Sequence, residues 1–346
     1  MSVGVVNLGD LEYEKFEGGV RFGADWGDIS RRIGGRKLGA GHWIVLPGRV
    51  SVPYHAHRVN EEVAFVLGGE LGIRLDGREH ALKAGDLVAL PPGTDSAHQF
   101  LNRTDRPANL ILISTMIERE VVDYLDSGKR MVTVSGLAGE PPRLSLRVRE
   151  DRVLDPGNQA YLEGEPIDEP LGNAPAAPAE RDPRIVSVEE VPWEPYSVGP
   201  FRAERKRLSR AAGSGRLGCS LYRLAPGDRM WPYHFQHINE ELFFIRRGYG
   251  ELRTPDGARE LRPGDFALCP PGAGGAHSIR NTGDGPLEAL ALSTMEEPEI
   301  CEYPDSGKIY VMVGAPPGGD AEDRSVDLVF RRRDAVDYLD GERRGR

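Results

Sequence analysis

At 346 residues the chain has room for about two domains of ordinary size. A composition 39% hydrophobic and 28% charged supports a real core, and a formal net charge of -10 argues against nucleic acid as a partner, because phosphate contacts need basic surface. No apolar run reaches membrane-spanning length, and the opening MSVGVVNLGDLEYEKFEGG lacks the basic and apolar regions of a secretory signal, so the expectation is a cytoplasmic protein with no membrane partner.

The elements come in two rounds. LPGRVSVPYH (46–55) returns as APGDRMWPYH (225–234), AGDLVALPPGTDSAHQFLN (84–102) as PGDFALCPPGAGGAHSIRN (263–281), and STMIEREVVDYLDSGK (114–129) as STMEEPEICEYPDSGK (293–308), each at an offset of 179 residues. Within the first round, short alternating apolar segments are bounded by turn signals: EEVAFVL, a GGE turn, LGIRL, a DGRE turn, then HALKAGDLVAL and PPG. That spacing is expected of an all-β sandwich or barrel. The best helix candidate, EREVVDYLDSG around 118–128, is brief. YLEGE closes the first round at 161–165, as YLDGE does the second at 338–342. Between them PIDEPLGNAPAAPAERDP is rich in proline and alanine, lacks an apolar period, and reads as a linker. The expected organisation is a first domain over 1–165, a linker over 166–183 and a second domain over 184–346.

Strand alternation selects the candidate ligands. Residues i and i+2 share a face, so His55 and His57 point the same way. Glu61 and Glu62 follow, and one of them must face inward. His98 comes after a proline-glycine turn about forty residues later. Three imidazoles and one carboxylate converging inside a barrel can hold a first-row divalent metal in an octahedral shell, with two positions left for water, oxygen or substrate.

At these residues the sequence resembles the cupin superfamily. GRVSVPYHAHRVNEEVAFVLGG is similar to its first motif through Gly48, His55, His57, Glu62 and Gly69. GDLVALPPGTDSAHQFLN is similar to the second through Gly85, Pro91, Gly93, His98 and Asn102. The resemblance covers both halves and implies a bicupin: an all-β chain of two tandem jelly-roll (double-stranded β-helix) barrels. It favours Glu62 over Glu61, since six residues then separate it from Gly69, as six separate Glu241 from Gly248. It implies a divalent transition metal on His55, His57, Glu62 and His98, with Fe(II) the first choice and Mn, Ni, Zn and Cu left open.

At the offset of 179, His55 becomes His234, Glu62 becomes Glu241 and His98 becomes His277, whereas His57 becomes Gln236. His237 aligns with Arg58 and is out of phase with His234, so on a regular strand it faces away from the barrel. Two histidines and a carboxylate can still hold Fe(II), with Gln236 adding a weak oxygen ligand or a hydrogen bond, which makes the second site the poorer one. Ala64 and Val66 neighbour the first glutamate, and Phe243 and Ile245 the second, so the second barrel is expected to be more filled. Trp43 and Tyr222 are matching aromatics expected to line the two cavities; Trp43, Ala64, Val66 and Phe100 form the expected substrate wall of the first. The assignable pocket strands show no inward cluster of Arg or Lys, which argues against a phosphorylated sugar.

Cys219, Cys269 and Cys301 align with Ala40, Leu90 and Val122 and read as reduced core thiols. His42 lies on a face that reads as mixed and outward, and His80, near a turn, reads as solvated. The repeated DSGK reads as a structural turn where the chain leaves each barrel, because no phosphate-binding glycine loop precedes it. The functional expectation is a dioxygenase-like oxidoreductase acting on a small organic substrate at the first site, with Glu62 as ligand and, when displaced, as base. A non-catalytic metal- or small-molecule-binding bicupin (a sensor or carrier) and a cupin isomerase or lyase are the alternatives, and a homodimer is left open.

Overall fold

Alternate residues of the strand Glu62–Gly68 belong to two different cores. Ala64 and Val66 point into the first barrel beside Val88 and Leu110. Val63 and Phe65 point the other way, into a cluster shared with Leu221, Leu242, Phe244 and Leu290 of the second half. The strand Glu241–Arg247 is used in the same way, with Phe243 and Ile245 in its own barrel and Leu242 and Phe244 against the first. Burial on both faces is why VAFVL and LFFI are continuously apolar rather than alternating.

The computed structural model describes residues 2–134, 144–149, 152–154, 161–175 and 178–342; residues 176 and 177 of the expected linker lie outside them. In the first half, a seven-stranded sheet faces an eight-stranded one. In the second, a seven-stranded sheet faces a four-stranded and a three-stranded piece. The named strand pairs are antiparallel, and the chain is the all-β pair of jelly rolls expected. Among the described residues, no helix is long and apolar enough to cross a membrane.

The two rounds of sequence do not map onto closed sheets. Gly4–Asn7 pairs with Asp265–Cys269 of the second half, while Ile185–Ser187 pairs with Asp86–Leu90 of the first. Each half lends its first strand to the other. A reciprocal clamp accompanies the exchange. The Glu240 carboxylate accepts the backbone N–H groups of Arg36, Lys37 and Leu38 at 3.0, 2.8 and 2.9 Å. Glu61 accepts those of Gly215, at 3.0 Å, and Arg216. Thus of the paired glutamates Glu61 serves the partner half and Glu62 is left for its own barrel.

Several local expectations are corrected. Residues 118–128 form no helix: Arg119–Tyr124 is a strand, held on one side by His55–His57 and on the other by Lys129–Val134. Pairing on both edges, with β-branched Val121 and Val122 in the middle, overrides the local helical pattern. His42 does point out of its barrel, yet it is buried, because Tyr13 of the N-terminal segment covers it; its Nδ1 lies 2.8 Å from the Tyr13 hydroxyl. His80 is buried too, near the charges of Asp182 and Arg184 as the chain passes between the halves. The start of the linker is not free, since Ile167 and Leu171 pack against Phe22, Val50 and Leu101.

Cys219, Cys269 and Cys301 are free thiols and buried. The first DSGK is a turn, and its lysine is a tether. Lys129 Nζ donates to the carbonyls of Tyr161 and Glu163 at 2.7 and 2.8 Å and pairs with Glu165 at 2.8 Å. That fixes YLEGE to the barrel. Lys308, its counterpart, instead lies over the Tyr303 ring.

Candidate metal centres

His55 and His57 stand on a three-residue strand inserted between His98–Leu101 and Arg119–Tyr124, with His55 in register with His98. Glu62 enters from the opposite sheet, through the strand that also carries Ala64 and Val66. Two sheets folding face to face therefore bring three imidazoles onto one carboxylate. Ligand atoms of His55, Glu62 and His98 lie within 4.8 Å of one another. Nε2 of His98 is 3.1 Å and Nε2 of His57 3.4 Å from Glu62 Oε2.

The other nitrogens of these rings are already committed. His55 Nδ1 lies 2.8 Å from the Pro53 carbonyl and His98 Nδ1 3.1 Å from that of Ser96. A carbonyl only accepts, so Nδ1 carries the proton and each Nε2 presents a lone pair. Burial reinforces this for His55, whose imidazole is held well below its ordinary range. Burial pushes the Glu62 carboxyl up, but the imidazoles around it, protonated His57 foremost, outweigh it and hold it below its ordinary range. Ionised and buried, Glu62 Oε2 has no hydrogen-bond partner. Lone pairs on His55 and His98 facing a carboxylate oxygen are satisfied by a cation between them, which is the fit expected of a metal donor set.

His57 differs from the other two. Its Nδ1 faces the Glu120 carboxylate at 3.3 Å, so the ring lies between two acids, and they raise its affinity for a proton against the effect of burial. Glu120 also takes the backbone N–H groups of Val59 and Asn60, at 3.1 and 2.8 Å. Sequence reasoning missed Glu120, although it recurs at the same offset as Glu299. Asn60 and Thr115, likewise repeated as Asn239 and Thr294, are bonded to each other at 2.9 Å and brace the loop that precedes Glu62.

The second centre repeats the plan with one change. His234, Glu241 and His277 lie within 4.8 Å of one another, and the Nδ1 atoms of both histidines face carbonyls, those of Pro232 and Gly275, at 3.0 and 2.9 Å. Burial pulls His234 down to about 4. Gln236 is buried with Oε1 unpartnered, on the same side as Glu241. His237 points outward and meets Glu302 at 2.9 Å, as its phase requires.

The walls of the second centre are filled at one end and open at the other. Phe243 and Trp231 do fill the deep end around His277, with ring centroids 5.1 and 6.4 Å from it. Nearer the mouth, however, Ala291 stands where the first half has Leu112, and a cavity of about 420 Å³ opens there, lined by Tyr222, His234, Gln236 and Glu241. Arg207 and Arg210 line the same cavity, a cationic pair that the expectation drawn from the assignable pocket strands did not cover. They come from the end of a flanking strand and the short helix after it, outside the repeated motifs. In the first half Trp43 packs 6.0 Å from Trp26 and against the barrel core of Ala64, Val66 and Phe100, all of them buried. Phe100 also stands 6.1 Å from His98.

The sequence comparisons agree with this geometry. The family described as Cupin domain matches residues 41–114 and again 220–293, the two segments that carry the clusters. Protein SchB of Streptomyces halstedii is 32% identical over 105 residues, which span 30% of this chain and 72% of SchB. The chain belongs to the cupin superfamily. Solved structures share its two-barrel fold. A putative glyoxylate-induced protein of Pseudomonas aeruginosa aligns over 84% of this chain and 88% of its own at a TM-score of 0.54 and 15% identity. A formate complex of oxalate decarboxylase from Lactobacillus farciminis covers 85% of this chain and 86% of its own, at 0.51 and 18% identity. The Bacillus subtilis oxalate decarboxylase covers 84% and 76%, at 0.50 and 19%. Identities this low establish the shared bicupin fold.

Proposed function

We propose that this bicupin is a metal-dependent enzyme acting on a small organic substrate, with its main centre at His55, His57, Glu62 and His98. One observation carries the reading: the Nε2 lone pairs of His55 and His98 converge on the buried, unpartnered Oε2 of Glu62, while their Nδ1 atoms are held by carbonyls. A first-row divalent ion held there would act as a Lewis acid on a chelating substrate and, as Fe(II), would supply the redox chemistry that dioxygen activation needs. The chain's own residues supply position and proton handling. Glu120 orients His57 from behind, and a Glu62 carboxylate freed by substrate would serve as base. The apolar wall of Trp43, Ala64, Val66 and Phe100 suits a compact organic molecule.

Elemental analysis of the purified protein, with His57→Ala and His277→Ala compared side by side, tests the centres. The expected result is a metal at the first centre that His57→Ala loses and His277→Ala keeps; a first centre that takes no metal under any loading condition removes the reading. Oxygen uptake by Fe-loaded protein with catechols, β-diketones and keto acids tests the finer, dioxygenase-type assignment. Substrate consumption without uptake would replace it with an isomerase or lyase.

A further inference from the structure

The mouth of the second cavity holds an ion pair that is not repeated among the described residues of the first half. Arg207 and Arg210 both meet Asp320, Arg207 at 3.3 Å, and Arg207 also meets Glu194 at 3.0 Å. Arg207 aligns with Asp28, whose carboxylate caps its own helix by accepting the Arg31 N–H at 2.9 Å. At the corresponding helix start Arg207 makes no cap bond. The charge at one place in the mouth is therefore reversed between the halves, and the side chain is released from the local structural role its counterpart has.

Asp320 is equally free of local duty. It begins a 3-10 turn without capping it, at the end of the loop 314–320, whose Ala315 and Pro316 carbonyls are tied back by Arg324 at 3.0 and 3.3 Å. The loop lines the cavity and aims Asp320 at the two guanidinium groups. Asp320 and Arg210 are a third or more exposed, and pairs of that kind contribute little to stability, so the aspartate is displaceable. Between this mouth and the His234–Gln236–Glu241 floor stands Tyr222, near enough to both Arg207 and Glu241 for their charges to act on its phenol in opposite directions.

We propose that the second cavity binds an organic acid whose carboxylate takes the place of Asp320 on Arg207 and Arg210, while its other end reaches the floor at Gln236 and Glu241. Planar guanidinium groups pair with carboxylates in a directed, two-bond geometry, and Asp320 occupies that position as an internal stand-in. The small side chains of Ala291 and Ser220 leave room for the acid. Only the character of the far end, a metal-chelating one when the centre is loaded, rests on the reading given under Proposed function.

The test is calorimetric titration of the full-length, chelator-treated protein at low salt with 2-oxoglutarate and with phthalate, and with succinamide as the neutral control. The acids are expected to bind and the diamide not. Asp320→Asn should tighten binding by about fivefold, because the internal competitor is gone, and Arg210→Gln should weaken it by about tenfold. Melting temperatures measured without acid show that both variants are folded. Equal binding by all three proteins, or no binding of either acid to wild type and Asp320→Asn, overturns the proposal. Arginine-dependent binding to a chain that takes no metal at the second centre supports it and removes only the metal reading there. Metal loading with no acid bound does the reverse.

Discussion

Glu120 stands 3.3 Å behind His57, and Glu299, its counterpart, has no imidazole to meet because Gln236 occupies the equivalent place. Both acids do the same structural work: Glu299 accepts the N–H groups of His237, Ile238 and Asn239 at 3.0, 3.1 and 2.7 Å, as Glu120 does for the residues after His57. The additional role of Glu120 can therefore be isolated. Glu120→Gln should weaken metal at the first centre by about 10- to 100-fold, the usual effect of removing an acid that orients a ligating histidine. Glu299→Gln should leave metal affinity at the second centre nearly unchanged while costing similar stability. Competition with a chromophoric chelator measures the first effect and urea denaturation the second.

The paired glutamates at 61–62 and 240–241 divide two tasks, and the clamp half of each pair is open to a direct test. Glu240 is fully buried and satisfies three backbone donors of the other half. Glu240→Ala leaves those donors buried and unpaired, at about 1–3 kcal/mol for each one that water cannot reach, so a loss of about 3 kcal/mol or more is expected in chemical denaturation. Glu61→Ala should cost less, since it serves two donors. A change below about 0.5 kcal/mol in Glu240→Ala, the size of an ordinary surface substitution, would show that the clamp does not hold the halves together.

Much of this arrangement was legible in the sequence. The turn signals and the 179-residue offset gave the β class and the duplication, and the phase of Gln236 against His237 placed one inward and one outward. What the sequence concealed follows from contacts between the halves. His42 looks like a surface histidine because its strand alternates, but the face it shares with Leu38 and Ala40 is covered, by the other barrel at those two residues and by Tyr13 at His42. The strand Arg119–Tyr124 looked helical until pairing on both edges decided it. Arg207 and Asp320 lie outside the repeated motifs, and the cavity between them forms only when residues more than a hundred positions apart meet.

Lys129 and Glu165 form a fully buried ion pair, so removing one partner strands a charge. Lys129→Met should cost about 3–5 kcal/mol and expose 161–165 to proteolysis, because the Tyr161 and Glu163 carbonyls lose their donor as well. The double variant Lys129→Met, Glu165→Leu should recover part of that loss. Lys308→Met, at the matching position in the second half, should cost about 1 kcal/mol or less, since Lys308 is only half-buried over the Tyr303 ring. Equal losses in the two lysine variants would contradict the assignment of a tether to the first half alone.

His42 supplies a pH dependence whose sign follows from burial. Its imidazole is held below its ordinary value of 6.5, mainly by desolvation, so the folded protein resists protonating it while the unfolded chain does not. Stability from the neutral form is present above 6.5 and is lost as the pH falls toward the lowered folded value. His42→Leu installs the residue found at the equivalent position, Leu221, which is buried in the inter-barrel core. Wild type should therefore lose stability relative to His42→Leu as the pH is lowered from about 7.5 to 5, a range that spans the ordinary histidine titration. The other buried histidines are common to both proteins, so the difference between their urea midpoints isolates this site. Parallel midpoint profiles across that range would mean that His42 titrates in the folded protein as it does in the unfolded chain.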